Sequence, residues 1–313
     1  MDWQKTAFLF PGQGSQQVGM SKALAEAYPV VMETFRTADD VLGYALSTLC
    51  FDGPQEKLDE TVYTQPALFV AGVATLRAIQ LGEATSPAYV AGHSLGEFTA
   101  LVAANAISYE DGLKLVQKRA ELMRDAGQKS PGAVAALLGL NIDAVREICG
   151  QASTEMGEIV VVANDNCPGQ VVISGADAAL DRALELAAEA GAKRAVKLAV
   201  SVAVHSPLMQ SAGEEFAGAV DATPINDAQI PVIGNVTAKA ITSAADIQDE
   251  LKRQITSSVL WNDSMQTMLS GGVDTFVELG PGAVLVGLMK RIDRAATRIS
   301  IETPEDVTSF VKG

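Results

Sequence analysis

The chain has 313 residues, enough to bury one large core or two smaller ones. Hydrophobic residues make up 48% and charged residues 19%, the balance of a soluble globular protein, with no apolar run of about eighteen residues to suggest a membrane span. A formal net charge of -15 argues against nucleic acid and against anionic membrane surfaces, both of which would repel it. The N-terminal stretch MDWQKTAFLF has no basic segment followed by a long apolar one, so no secretion signal is expected. Cys50, Cys149 and Cys167 are far apart and odd in number, giving neither a disulfide framework nor a metal-ligand spacing. A cytoplasmic location is the expectation.

In chain order, TAFLF (6–10) predicts a buried strand that stops at Pro11-Gly12. Helical patterns run to residue 81, the longest being PALFVAGVATLRAIQL (66–81). AYVA (88–91) predicts a second short buried strand, followed by helices over 98–106 and 109–126. Strand alternating with helix implies a parallel sheet covered on both faces. After the break GQKSPG (127–132) the pattern changes. AVAALLGL (133–140) predicts a strand, 142–152 a helix, 159–164 and 170–175 two strands about a Pro168-Gly169 turn, 178–191 a helix and 194–200 a strand. That β-α-β-β-α-β order is ferredoxin-like. The larger pattern resumes with QIPVIGNV (229–236), DTFVELG (274–280) and a helix after GPG (280–282).

The chemistry centres on Gly92-His93-Ser94-Leu95-Gly96, a G-x-S-x-G pattern with a strand before it and a helix after it. That context suits a nucleophile elbow, whose glycines allow a sharp turn and whose serine stands near a helix N-terminus. A glycine-bracketed turn with a capping serine is the plainer reading. A nucleophilic serine needs a base, and the chain has two histidines. His93 adjoins Ser94 and would point away from it. His205, in SVAVHSPLM, ends an apolar run before Ser206-Pro207, on the loop side where α/β sites assemble. In the helix 109–126, Leu115, Val116, Leu122 and Met123 lie three and four residues either side of Arg119 and set it within the apolar face. It is either a side chain snorkelling to water or a guanidinium held in a partly dry site for an anion such as a carboxylate; periodicity leaves both open.

Together these residues resemble the malonyl-CoA:acyl carrier protein transacylase family. FPGQGSQQVGM (10–20), GHSLGE (92–97), ANDNCPGQVVISG (163–175), VHSPLM (204–209) and VELGPGAVLVGLMKRI (277–292) match in order and spacing, and the similarity runs from about residue 6 to about residue 302. Ala120 and Arg124 depart from the family pattern, and the loop SPGAV (130–134) lacks its frequent methionine. The resemblance implies an α/β fold: an α/β-hydrolase-like large subdomain with a parallel sheet (1–128 and 200–313) and an inserted ferredoxin-like small subdomain (129–199). It implies that Ser94 carries the acyl group, His205 is its base and Arg119 binds the malonyl carboxylate. Backbone N–H groups of Gln13 and Leu95 would receive the oxyanion, and the main-chain carbonyl of Gln254 would orient the histidine. The implied reaction moves malonyl from malonyl-CoA to the phosphopantetheine thiol of acyl carrier protein, for fatty acid synthesis. No bound cofactor is expected, coenzyme A thioester being the substrate. A monomer is expected.

The rival readings are a trans-acting acyltransferase of a polyketide synthase, a serine hydrolase of acyl-thioesters, and a non-catalytic subunit that only docks carrier protein. An acidic carrier meeting an acidic enzyme needs a local basic patch. Lys193, Arg194 and Lys197, on the strand leading towards His205, are the favoured docking cluster. Lys290, Arg291, Arg294 and Arg298 are the other.

Overall fold

A computed structural model describes residues 1–82, 86–129, 131–198 and 202–312. Its main sheet contains β1 (Thr6–Phe10), β2 (Tyr89–Gly92), β7 (Val232–Ile233), β8 (Ala240–Ile241), β9 (Thr275–Leu279) and β10 (Thr297–Ile301), in the order β10-β9-β1-β2-β7-β8. All neighbours run parallel except β7 and β8. The fold is α/β, as the alternating pattern predicts.

Side-chain alternation splits the core of this sheet in two. Phe8, Phe10, Val90, Val232, Val277 and Leu279 face one apolar cluster, while Ala7, Leu9, Ala91, Ile233 and Phe276 face another. Every residue of β1 is buried, the signature of a central parallel strand covered on both sides. Burying a ring such as that of Phe10 contributes about 1.5–3 kcal/mol. The helix Thr61–Ile79 is long and apolar enough to cross a bilayer, but 83% of its apolar window is buried inside the protein, where it packs as a core helix.

The second sheet is antiparallel, with β3 (Ala133–Leu138), β4 (Val160–Cys167), β5 (Gln170–Gly175) and β6 (Arg194–Lys197) in the order β4-β5-β3-β6. Helices Ile142–Met156 and Asp177–Glu189 cover it, and the unit has its own apolar cluster, centred on Leu137, Ile173 and Leu180. The side chain of Asn141 caps the first helix and Gly157, at φ 66°, ends it. A parallel bridge from Asn164 to Val259 joins this sheet to the rest of the chain.

Several boundaries differ from the sequence expectation, three of them for a visible reason or by a full turn. β4 runs on to Cys167, because irregular pairing at Val162/Asn164 and Asp165/Cys167 breaks the alternation and makes a strand look like a polar loop. The segment 229–236 shortens to Val232–Ile233, flanked by Pro231, which cannot donate to the ladder. The helix over 109–126 extends to Lys129. Of the predicted strand 194–200, residues 194–197 are strand, whereas 199 and 200 lie outside the described residues. Ser130, in the predicted break, also lies outside them.

Candidate active site

β2 ends in a turn that enters the helix Gly96–Ala103, and Ser94 sits in that turn at φ 50°. A non-glycine residue in the left-handed region is strained and must be held by its surroundings. The holding groups are visible. The Ser94 N–H donates to Asn235 Oδ1 at 2.7 Å, and Asn235 Nδ2 donates to the Gly92 carbonyl at 2.8 Å. Gln254 Nε2 donates to the Ser94 carbonyl at 3.0 Å and to Glu97 Oε2. The loop after β1 lies against the same turn. A Cβ on Gly12 would meet the His93 carbonyl oxygen at 2.4 Å, and one on Gly96 would meet the Phe10 carbonyl oxygen at 2.0 Å. Glycine is required at both positions for two backbones to approach this closely.

Ser94 Oγ lies 2.8 Å from His205 Nε2. His205 Nδ1 faces two main-chain carbonyls, Gln254 at 3.0 Å and Ser257 at 3.1 Å. Carbonyls only accept, so Nδ1 carries the proton and Nε2 presents its lone pair to the serine hydroxyl. No carboxylate is needed to fix that tautomer. His205 is 4% exposed, and burial, followed by the nearby Arg119 charge, pushes its pKa down to about 3. His93 is engaged elsewhere. Its Nε2 donates to Asn166 Oδ1 at 2.8 Å, and its ring packs 5.3 Å from that of Trp261. It ties the elbow to β4.

Arg119 is 1% exposed, which removes the snorkelling alternative. Its Nη2 donates to Ser94 Oγ at 3.0 Å and its Nη1 to Gln65 Oε1 at 2.5 Å. The guanidinium carbon lies 5.7 Å from the Phe98 ring centroid, and the buried Nε has no partner among the described residues. Burial lowers the pKa to about 10 while the Glu97 charge works against the shift, so the group is cationic at neutral pH. An N–H without a protein acceptor, beside a second whose acceptor is a serine hydroxyl, gives one edge of the guanidinium two donors of the geometry a carboxylate fork matches.

Among the described residues, no protein acceptor takes the N–H of Gln13 or of Leu95, which precedes the first turn of the elbow helix. The Gln13 side chain accepts from Thr61 Oγ1 at 3.2 Å. The structure therefore brings Ser94, His205, Arg119 and Gln254 into direct contact and leaves two free backbone donors on the segments flanking the serine. This arrangement can activate a serine hydroxyl and hold an anion beside it.

Asn235, Glu97, Gln65 and Thr61 escaped the sequence reading. Gln65 carried a signal, a polar residue one turn into an apolar helix, and it is fully buried. Glu97, 1% exposed, had one too, in an otherwise apolar helix. Burial, with Glu250 next, pushes its carboxyl well above the usual range.

Among the described residues, none of the predicted docking residues bonds to this centre. Lys193 and Arg194 are exposed where β6 begins, at the edge of the small sheet. Lys197 is paired with Asp177 at 2.7 Å and Asp181 at 3.1 Å, which offsets its charge. Lys290, Arg291, Arg294 and Arg298 line a cleft of about 470 Å³ with Pro168, and among the described residues none of the four forms an ion pair.

Comparison with known proteins gives a consistent result. The model of the acyl transferase domain family matches residues 7–303. The malonyl CoA-acyl carrier protein transacylase of Bacillus subtilis (strain 168) is 45% identical over 303 residues, covering 97% of this chain and 95% of the relative. The crystal structure of an acyl carrier protein S-malonyltransferase from Vibrio cholerae superposes with a TM-score of 0.95 at 45% identity, covering 98% of this chain and 99% of the other. A malonyl-transacylase solved in complex with a type II polyketide synthase acyl-carrier protein superposes at 0.94 with 40% identity, over 98% and 99% of the two chains.

Proposed function

The chain belongs to the acyl transferase domain family, and from that premise we propose that it transfers malonyl from malonyl-CoA to the phosphopantetheine thiol of an acyl carrier protein. The single observation that carries the reading is the contact of one serine hydroxyl with both a neutral histidine and a buried arginine. A plain hydrolase needs the first of these and has no use for the second.

In the first half-reaction His205 Nε2 takes the Ser94 hydroxyl proton as Oγ attacks the malonyl thioester carbon. The carbonyl oxygen becomes an oxyanion between the N–H groups of Gln13 and Leu95, where one such donor typically contributes ~3 kcal/mol. The intermediate collapses, the C–S bond breaks, and the coenzyme A thiolate takes the proton from His205. In the second half-reaction the carrier thiol gives its proton to His205 and attacks the acyl-serine. Ser94 leaves and recovers its proton. Arg119 holds the free carboxylate through both halves, so it serves selectivity and positioning. Coenzyme A enters and leaves as part of the substrate, and no resident cofactor takes part.

Fatty acid synthesis is the proposed destination of the product. The likeness to a polyketide malonyl-transacylase supports a second destination on the same chemistry, and transfer rates to the two kinds of carrier would separate them. The proposal extends to the small subdomain as an insertion at 129–199, to a monomeric enzyme and to a cytoplasmic location. For carrier docking, the four unpaired cations around Pro168 now outweigh Lys193, Arg194 and the neutralised Lys197.

Intact-protein mass spectrometry after mixing with malonyl-CoA tests the proposal. The wild-type protein should gain one malonyl group that discharges to a carrier thiol. Folded Ser94→Ala should gain none; an adduct of undiminished yield there would end the assignment.

A further inference from the structure

Four side chains of the site are linked in a single file. Arg119 Nη1 donates to Gln65 Oε1 at 2.5 Å, Gln65 Nε2 donates to Thr61 Oγ1 at 2.9 Å, and Thr61 Oγ1 donates to Gln13 Oε1 at 3.2 Å. The directions at Arg119 and Gln65 are forced. Arginine has no acceptor, so the amide oxygen of Gln65 must face it, and its nitrogen then faces Thr61 Oγ1 and Met123 Sδ, which lies 3.4 Å away. The Thr61 hydroxyl receives from Gln65 and has one proton left, for Gln13. Thr61 opens the helix Thr61–Ile79 and Gln65 stands one turn later, on the same face. Bonds that all point one way polarise and strengthen each other.

We propose that Thr61 and Gln65 are positioning residues that transmit carboxylate binding at Arg119 to the oxyanion-binding loop at Gln13. The inference rests on the acyl-transfer reading above and deepens it. In this structure Arg119 Nη2 donates to Ser94 Oγ. A carboxylate, the stronger acceptor, draws the guanidinium off the serine. Gln65 follows the guanidinium, Thr61 follows Gln65, and the Gln13 loop settles where its N–H meets the developing oxyanion. An acyl group without a carboxylate leaves the file at rest. Discrimination then appears in kcat as well as in KM, because part of the carboxylate's binding energy is realised only at the transition state.

The test compares Thr61→Val, which keeps the shape and loses the hydroxyl, with Thr61→Ser, which keeps the hydroxyl. Steady-state kcat and KM are measured for malonyl and acetyl transfer by the full chain. Thr61→Val should lower malonyl kcat about fivefold to tenfold, the effect of one neutral hydrogen bond. KM for malonyl-CoA and kcat for acetyl should each change less than twofold, and Thr61→Ser should restore malonyl kcat. A merely structural threonine would lower both acyl groups by the same factor. That result, a change confined to KM, no change at all, or Ser behaving like Val would each overturn the relay. Wild-type protein that forms no malonyl adduct on Ser94 would instead overturn the acyl-transfer reading itself.

Discussion

Replacing Arg119 by alanine removes the only cation, among the described residues, in contact with Ser94 Oγ. The guanidinium is 1% exposed and, with a pKa lowered to about 10, still charged at pH 7. Charges about 4 Å apart at an effective dielectric near 20 attract by roughly 4 kcal/mol, and measured losses for desolvated pairs run about 2–5 kcal/mol. Malonyl transfer should therefore fall about 30- to 5,000-fold. Acetyl transfer has no carboxylate to lose. It should even gain, since the variant frees a lone pair on Ser94 Oγ and removes a positive charge that disfavours protonation of His205. Arg119→Met, closer in volume, guards against an effect of the cavity alone. Rapid-quench measurement of the acyl-serine formed from malonyl-CoA and from acetyl-CoA checks the ratio. Equal losses for the two acyl groups in both variants would refute the argument and leave Arg119 a structural residue.

His205→Ala should lose at least about a hundredfold in transfer rate, with His93→Ala losing less; stopped-flow acylation showing the reverse order would exchange their roles. The fold lowers the His205 pKa from 6.5 to about 3, so the unfolded chain binds the proton first as pH falls, and this residue's contribution to stability is lost progressively between those values. The acid limb of kcat/KM should accordingly lie well below pH 6.5, and urea titrations should show a shallower acid loss of stability in His205→Gln. Asn235→Ala leaves the Ser94 N–H and the Gly92 carbonyl unpaired, so it should cost about 1–3 kcal/mol in urea unfolding and slow acylation as well; an unchanged midpoint would show that water replaces it. Lys290→Glu with Arg291→Glu should raise KM for the carrier protein, less so at high salt, while Lys193→Glu with Arg194→Glu should do less; the opposite ranking would return docking to β6.

Much of the site was legible because its chemistry is local. The elbow announces itself within five residues, and two histidines leave little choice of base. Arg119 was legible as an anomaly of periodicity, but only its burial separates an anion site from a snorkelling side chain. Asn235 was not legible. It acts on Ser94 from 141 residues away, and an asparagine after a short strand has no pattern of its own. The side-chain role of Gln254 was hidden for the same reason, its amide reaching the Ser94 carbonyl across 160 residues. In the fold, short apolar runs ended by turn residues located β1 and β9 well, whereas bulges disguised the end of β4 and Pro231 cut β7 short.

The place of β1 in the main sheet governs how the chain can be made. Its partners are β2, some 80 residues downstream, and β9, which pairs Thr6 with Thr275. During synthesis one edge of the first strand must wait, unpaired, until nearly the whole polypeptide has left the ribosome. Parallel pairing over such a separation is slow to nucleate, and a bare apolar strand invites association with other nascent chains. The small antiparallel unit, whose contacts lie within about 65 residues, can close first. Catalytic competence thus arrives at once and late, when the last strands dock, and a truncated product lacking β9 and β10 would aggregate instead of working slowly.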